Sequence, residues 1–161
     1  MLAASSVLGG EEPSDTYRAH ELSLDVFGSG SIGQTTIDNL TGTRVRHDIR
    51  LGAGAGLNYF LTRNIGLAAE GYSENPHHSF VNSASGSLIL RLPLGQSGFA
   101  PYALAGAGHQ FEPTDRWFVQ LGAGLEFRFS PKIGIFTDAR YVMAEGGRNY
   151  GLGRAGLRFS F

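Results

Sequence analysis

Apolar and polar residues alternate with a period of two in segments spread along most of the chain. The clearest run is residues 47–60, where Ile49, Leu51 and Leu57 share one face and a glycine or polar residue stands at each position between 49 and 59 on the other. Residues 116–129 repeat the arrangement. Because successive side chains of a strand point to opposite sides of a sheet, this period predicts β-strands with one apolar and one polar face.

Eight such segments, each of roughly ten residues or more, fill most of residues 21–161. No stretch is apolar over the roughly 18 residues that a transmembrane helix needs. The segments are Glu21–Ser29, His47–Phe60, Asn64–Ser73, Ser79–Leu94, Phe99–Gln110, Arg116–Phe129, Ile133–Met143 and Asn149–Phe161. The phase of the fifth is ambiguous because of its alanines, glycines and Pro101. Short connections alternate with longer ones, so the sequence predicts an all-β fold, an eight-stranded antiparallel up-and-down barrel.

The polar face of these segments carries equal numbers of acidic and basic residues, interspersed with glycines. A soluble exterior does not require this balance, whereas charges inside a narrow barrel must be paired, and long side chains there need small neighbours. We therefore predict that the apolar face meets lipid and that a charge network, with Glu21 on the same face, fills the lumen of a transmembrane β-barrel. The network comprises Asp25, Asp48, Arg50, Glu70, Arg91, Glu126, Arg128, Asp138, Arg140, Arg154 and Arg158.

The chain ends on a strand pattern in which Leu157, Phe159 and Phe161 occupy alternate positions. This ending is similar to the carboxy-terminal signal by which outer-membrane proteins are recognised during assembly. Residues 52–60, 101–108 and 138–141 add short motifs of the same kind, GAGAGLNYF, PYALAGAG and DARY. Over residues 21–161 the chain resembles the small eight-stranded outer-membrane barrels, that is, the transmembrane domain of outer-membrane protein A and its small relatives.

The resemblance implies an outer-membrane location, contact with outer-membrane lipid, assembly by the barrel-assembly machinery and a polar lumen with little or no open channel. The polar residues at 9–20 predict that residues 1–20 form an N-terminal tail, periplasmic in an even-stranded barrel, before the barrel of residues 21–161. Residues 1–10 lack the basic region of a signal peptide, so we expect either an upstream signal or a late start. We do not expect the cell-wall tether of the full-length family. We expect the protein to be a monomer.

A structural or interaction role with weak pore activity is the expected function, and catalysis is not expected. The first connection, Ser29 to Arg46, is the candidate surface for a protein partner. One alternative is a lipid A deacylase or acyltransferase that uses His77, His78 and Ser79 with Glu70 or Glu74. Another is a soluble barrel that binds an apolar ligand. The charge network itself has two interpretations, a rigid structural filling and a gate whose ion pairs exchange partners.

Several other functions lack support in the sequence. The formal charge of -1 does not suggest a nucleic-acid partner, and the absence of cysteine excludes disulfides and thiol chemistry. Residues 151–156 match G-x-G-x-x-G, but no helix can follow them to receive a pyrophosphate. His77 and His78, with His47 or His109, show no metal-ligand spacing. No cofactor or metal is therefore expected.

Overall fold

The computed structural model describes residues 16–39, 42–73, 81–95, 97–113 and 115–161, with the backbone alone at 34–39 and 42–48. Eight strands make up the fold: β1 (Glu21–Asn39), β2 (Gly42–Phe60), β3 (Ile65–Ser73), β4 (Ser83–Arg91), β5 (Phe99–Gln110), β6 (Arg116–Ser130), β7 (Ile133–Ala144) and β8 (Tyr150–Ser160). Within these ranges no helix has the length and apolar character needed to cross a membrane.

The eight strands form one closed barrel in sequence order. Each strand pairs antiparallel with the next, and β8 closes the wall by pairing with β1, from Ser23 opposite Ser160 to Gly33 opposite Tyr150. Closure leaves no exposed sheet edge along the wall, which satisfies the backbone hydrogen bonds within the sheet. The predicted eight-stranded up-and-down barrel is confirmed.

The first predicted connection is wrong in form, because β1 and β2 continue through most of it as a hairpin in which Asn39 lies opposite Gly42. The pairing of β1 with β8 stops at Gly33, and that of β2 with β3 stops at Ala53. Residues 34–39 and 42–47, named here the β1–β2 hairpin, therefore extend beyond the barrel wall. At about 3.3 Å per residue, six further residues of β1 span about 20 Å.

The strand faces have the predicted orientation. Large apolar side chains lie on the outside, with Leu51 75 % and Val26 50 % exposed, whereas charged side chains such as Arg91 lie fully inside. The alternative of a soluble barrel with an apolar interior is therefore wrong. The fifth strand, whose phase was ambiguous, buries Tyr102 and Leu104.

The predicted role of the polar-face glycines is confirmed by the close packing of other atoms around them. At each one, an added Cβ would lie within 3.1 Å of another heavy atom. They are Gly52, Gly54, Gly56, Gly66, Gly122, Gly124, Gly134 and Gly156. These positions make room for the long side chains that enter the lumen from the neighbouring strands.

The lumen is less polar than expected, because aromatic and aliphatic side chains share it with the charges. One buried apolar cluster comprises Phe27, Tyr72, Phe118, Phe136, Val142, Ala144 and Leu152. A second comprises Phe60, Ile89, Tyr102 and Leu104. Flat rings pack against guanidinium planes, so an arginine-rich interior can accommodate aromatic residues at lumen-facing positions of the strands.

Candidate functional site

Charged side chains from six strands meet inside the barrel in two groups. The lower cluster lies toward the end that carries the β2–β3, β4–β5 and β6–β7 connections, named here the short-turn end. The upper cluster lies nearer the β1–β2 hairpin. The lower cluster comprises Glu21, Asp25, Arg91, Glu126, Arg128 and Arg158, and the upper cluster Glu70, Asp138, Arg140 and Arg154.

In the lower cluster, two arginines are each bound by two carboxylates. Arg158 makes a bidentate pair with Asp25, with N–O distances of 2.8 and 2.7 Å. Its Nη1 also donates to Glu126 Oε2 at 2.5 Å. Arg128 donates through Nη1 and Nη2 to Glu21, at 2.8 and 2.5 Å, and through Nε to Glu126 at 2.6 Å. Glu126 therefore links the two arginines.

Arg91 completes the lower cluster by stacking as well as by ion pairing. Its Nη1 lies 3.1 Å from Glu21 Oε1 and 3.6 Å from Glu126 Oε2. The guanidinium carbon lies 3.5 Å from the ring centroid of Phe60 and 4.6 Å from that of Tyr17. Desolvated cation–π contacts of this kind compensate part of the cost of burying the arginine.

The upper cluster is a ring of two arginines and two carboxylates. Arg154 donates to Glu70 Oε2 at 2.6 Å and to both carboxylate oxygens of Asp138, at 3.0 and 2.6 Å. Arg140 donates to both oxygens of Glu70 and, through Nε at 3.1 Å, to Asp138. Each arginine thus binds both carboxylates.

Uncharged side chains supply further hydrogen bonds to the upper cluster. The Tyr102 hydroxyl donates to Asp138 Oδ2 at 2.9 Å, and the Ser85 hydroxyl to Glu70 Oε1 at 3.0 Å. The Gln120 amide accepts from an upper-cluster arginine at 3.1 Å and donates to Ser85 Oγ at 3.0 Å. These residues lie on β4, β5 and β6, so the network joins the upper cluster to strands that contribute no charge to it.

Two phenylalanines lie next to the arginines of both clusters. The Phe27 and Phe136 rings meet edge to face, with centroids 6.2 Å apart. The guanidinium of Arg154 lies 4.4 Å from the Phe27 centroid, and that of Arg158 lies 5.2 Å from the Phe136 centroid. The clusters and rings therefore form one continuous packing unit.

The charges balance within each cluster, with three carboxylates against three arginines in the lower and two against two in the upper. All ten groups are at most 9 % exposed. Buried charges are tolerated only when they are paired and hydrogen-bonded, and removal of one partner is costly. Since the described carboxylates of both clusters are bound by arginines, the arrangement suits rigid filling of the lumen.

The structure brings most residues of the predicted charge network together, but not all of them. The structure places in the two clusters Asp25, Glu70, Arg91, Glu126, Arg128, Asp138, Arg140, Arg154 and Arg158. Arg50 does not belong to the network, which corrects the prediction. Its side chain is exposed, on the part of β2 that continues past the last residue paired with β3. The side chain of Asp48 lies outside the described residues.

Sequence reasoning missed several members of the site. Glu21 was assigned to the polar face but not to the network, in which it accepts from two arginines. Tyr102 and Gln120 were also missed. Tyr17 was assigned to the tail, yet it is 1 % exposed and its ring packs on Arg91. The one sequence feature that could have pointed to Tyr17 is its aromatic ring in an otherwise polar stretch before β1.

The other candidate motifs contribute no further site to the described part of the chain. Residues 151–156 lie within β8, where Gly156 packs closely against Phe27, so the glycine pattern belongs to barrel packing. His77, His78, Ser79 and Glu74 lie outside the described residues. In the ranges that the structure describes, no three or more His, Asp or Glu side chains are grouped to hold a metal.

The three residues of the predicted assembly signal lie on the outer face of the barrel. Leu157 is 46 % and Phe161 70 % exposed, and Phe159 is half-buried. The Phe161 amide donates to Leu22 O at 2.8 Å, so the terminal residue is tied to β1 by its backbone while its ring faces outward.

Solved structures of bacterial outer-membrane proteins share this fold. The N-terminal β-barrel domain of Pseudomonas aeruginosa OprF has a TM-score of 0.66 at 18 % identity, covering 89 % of this chain and 99 % of that one. Neisserial surface protein A gives 0.62 at 13 %, covering 87 % and 97 %. The Yersinia pestis attachment invasion locus protein, Ail, gives 0.55 at 17 %, covering 89 % and 99 %. At these identities the similarity concerns the fold alone.

No curated protein matches the sequence. The family model described as the outer membrane protein beta-barrel domain matches residues 2–160. That match spans nearly the whole chain, and the closed eight-stranded barrel with its apolar exterior agrees with it. The chain therefore belongs to the family of outer-membrane β-barrel proteins and resides in the bacterial outer membrane.

Proposed function

We propose that this protein is a non-catalytic, monomeric interaction barrel, in which a rigid, filled barrel presents the β1–β2 hairpin outside the cell as a recognition surface. The observation that carries the proposal is the length of the first two strands. Each of them has 19 residues, whereas the other six have 9 to 15. Since short turns of such barrels face the periplasm, the hairpin end faces outward.

The filled lumen favours a role as a scaffold over a role as a pore. An ion that crossed it would have to pass the lower cluster, the Phe27 and Phe136 rings and the upper cluster in turn. A gate would require ion pairs that can exchange partners, but each arginine of the upper cluster already binds both of its carboxylates. We therefore assign the charge network a structural role.

The chemistry of the hairpin region favours an anionic partner. The sequence of β2 has an arginine at positions 44, 46 and 50, interrupted by Asp48, and alternation along a strand assigns these four positions to one face. Arginine binds sulfate and phosphate groups in a bidentate manner. Ail has been crystallised with the heparin analogue sucrose octasulfate, so heparin is a suitable probe.

Replacement of Arg44, Arg46 and Arg50 by glutamine is expected to weaken heparin binding at least about tenfold, because several charge-assisted hydrogen bonds would be lost together. Replacement of residues 34–47 by Asn-Gly, which joins Gly33 to Asp48 through a two-residue turn, should have the same effect without disturbing the barrel. Binding is measured by surface plasmon resonance with the protein in nanodiscs.

The matched control is Arg148→Gln, which removes an exposed arginine from the β7–β8 connection. It should leave heparin binding within about twofold of the unchanged protein. Equal binding by the unchanged protein, the triple variant and the shortened hairpin would contradict an anionic recognition surface on the hairpin.

We also propose that Leu157, Phe159 and Phe161 act as the assembly signal read by the barrel-assembly machinery. Phe161→Ser is expected to lower the amount of assembled barrel in cells several-fold, while refolding into lipid vesicles stays nearly unchanged because the ring is 70 % exposed. Tyr141→Ser, at a 52 % exposed aromatic of the opposite rim, is the control. The heat-dependent gel shift measures the folded barrel both in cells and in the lipid vesicles. A parallel loss in both assays would indicate a purely structural role.

A further inference from the structure

The residues that precede β1 enter the mouth of the barrel at its short-turn end. Tyr17 is 1 % exposed, and its hydroxyl donates to the carbonyl oxygen of Gly98, on the β4–β5 connection, at 2.6 Å. The Thr16 carbonyl accepts from Arg128 Nη1 at 2.7 Å. The segment is thus bound both to a turn and to a lumen side chain.

The Tyr17 ring covers the charges of the lower cluster. Its centroid lies 4.6 Å from the guanidinium carbon of Arg91 and 4.5 Å from that of Arg128. Burial, followed by the nearby Glu126 carboxylate, raises the pKa of Tyr17, so the hydroxyl remains a donor to Gly98. Both arginines have side-chain exposures of 0 % with this ring in place.

Near the short-turn end of the lumen lies a set of buried polar atoms with unmet hydrogen-bonding capacity. Ser23 lies opposite Asn58 on one side and Ser160 on the other. Within the described residues, Ser23 Oγ, Asn58 Nδ2, Ser160 Oγ and Arg91 Nη2 are buried and have no hydrogen-bond partner. Buried polar atoms of native proteins are satisfied by protein or by ordered water, so this part of the lumen suits water.

We propose that residues 16–20 form a plug, in which Tyr17 closes a hydrated compartment lined by Ser23, Asn58 and Ser160 against the solution at the short-turn end. When the plug is withdrawn, the compartment opens to small solutes from that end. The Phe27 and Phe136 rings and the upper cluster lie above the compartment, so opening the plug exposes the lower lumen without creating a path through the barrel.

The absence of cysteine from the chain allows a direct test by thiol labelling. Ser23→Cys, a nearly isosteric change at a 0 % exposed site, is treated with a small charged methanethiosulfonate in detergent micelles. Lys132→Cys, at an exposed turn, reports full reactivity. With Tyr17 present, Ser23→Cys should react at least about 100-fold more slowly than Lys132→Cys.

Adding Tyr17→Ala should accelerate labelling of Ser23→Cys at least about tenfold, whereas Tyr17→Phe, which keeps the ring and loses only the hydroxyl, should change it by less than about threefold. The heat-dependent gel shift verifies that each variant is folded. Unchanged labelling in a folded Tyr17→Ala variant would overturn the proposal. If Tyr17→Ala does not fold, Tyr17→Leu takes its place, and faster labelling of Ser23→Cys in that variant would support the proposal. Unchanged labelling in Tyr17→Leu, or rapid labelling with Tyr17 present, would overturn it.

Discussion

Replacement of Glu126 by glutamine is expected to lower the free energy of unfolding by about 3 kcal/mol or more. The carboxylate is fully buried and accepts from Arg128 and Arg158 at 2.6 and 2.5 Å. Glutamine keeps the size of the side chain but leaves three arginines facing two carboxylates. Equilibrium unfolding by guanidinium in lipid vesicles measures the change.

The double variant Glu126→Gln with Arg91→Gln tests whether charge balance is the cause. It leaves two complete bidentate pairs, Arg158 with Asp25 and Arg128 with Glu21. The double variant should therefore lose less stability than the sum of the single variants, by about 0.5 to 3 kcal/mol. Glu145→Gln, at an exposed position, is the control and should stay within about 0.5 kcal/mol of the unchanged protein. A Glu126→Gln variant as stable as this control would refute the structural role of the lower cluster.

Replacement of Gly124 by alanine is expected to destabilise the barrel by about 1–3 kcal/mol, because the added methyl group overpacks the lumen. The new Cβ would lie 2.5 Å from Thr137 O, 2.5 Å from Tyr102 Cζ and 2.7 Å from Asp138 Cβ. Relief would require Tyr102 to move and would disturb its hydrogen bond to Asp138. The same unfolding measurement gives the loss.

Gly153 provides a matched control for Gly124, because it also lies within a strand but on the outer face. The nearest atom to an added Cβ there is Gly30 O at 3.8 Å. Gly153→Ala should leave stability unchanged or raise it by up to about 1 kcal/mol, since alanine restricts the unfolded chain. Equal effects of the two substitutions would show that backbone freedom, and not lumen space, explains the glycines.

Much of the barrel could be predicted because its wall depends on a local rule. The alternation of Leu51, Leu57 and their neighbours with glycine and polar residues needs no knowledge of partners, and it correctly assigned the lipid-facing and lumen-facing sides. The same rule failed for residues 30–39 and 42–46. Their mixed polar composition resembles a loop, yet pairing of the two strands with each other supplies the backbone hydrogen bonds that keep them extended.

The sequence could not predict which acidic residue pairs with which arginine inside the lumen. Asp25 is 133 positions from Arg158 and Glu21 is 107 from Arg128, so these pairs exist only after the wall has closed. The positions of Phe27 and Phe136 against the arginines depend on the same closure.

By itself, the sequence determined the strand number, the two faces and the need for charge balance with small neighbours, because alternation and residue size act along the chain. The tertiary structure alone decided the division of the charges into two clusters, the exclusion of Arg50 and the entry of Tyr17 into the lumen mouth. These features depend on strand register and barrel closure, which bring distant residues within hydrogen-bonding distance.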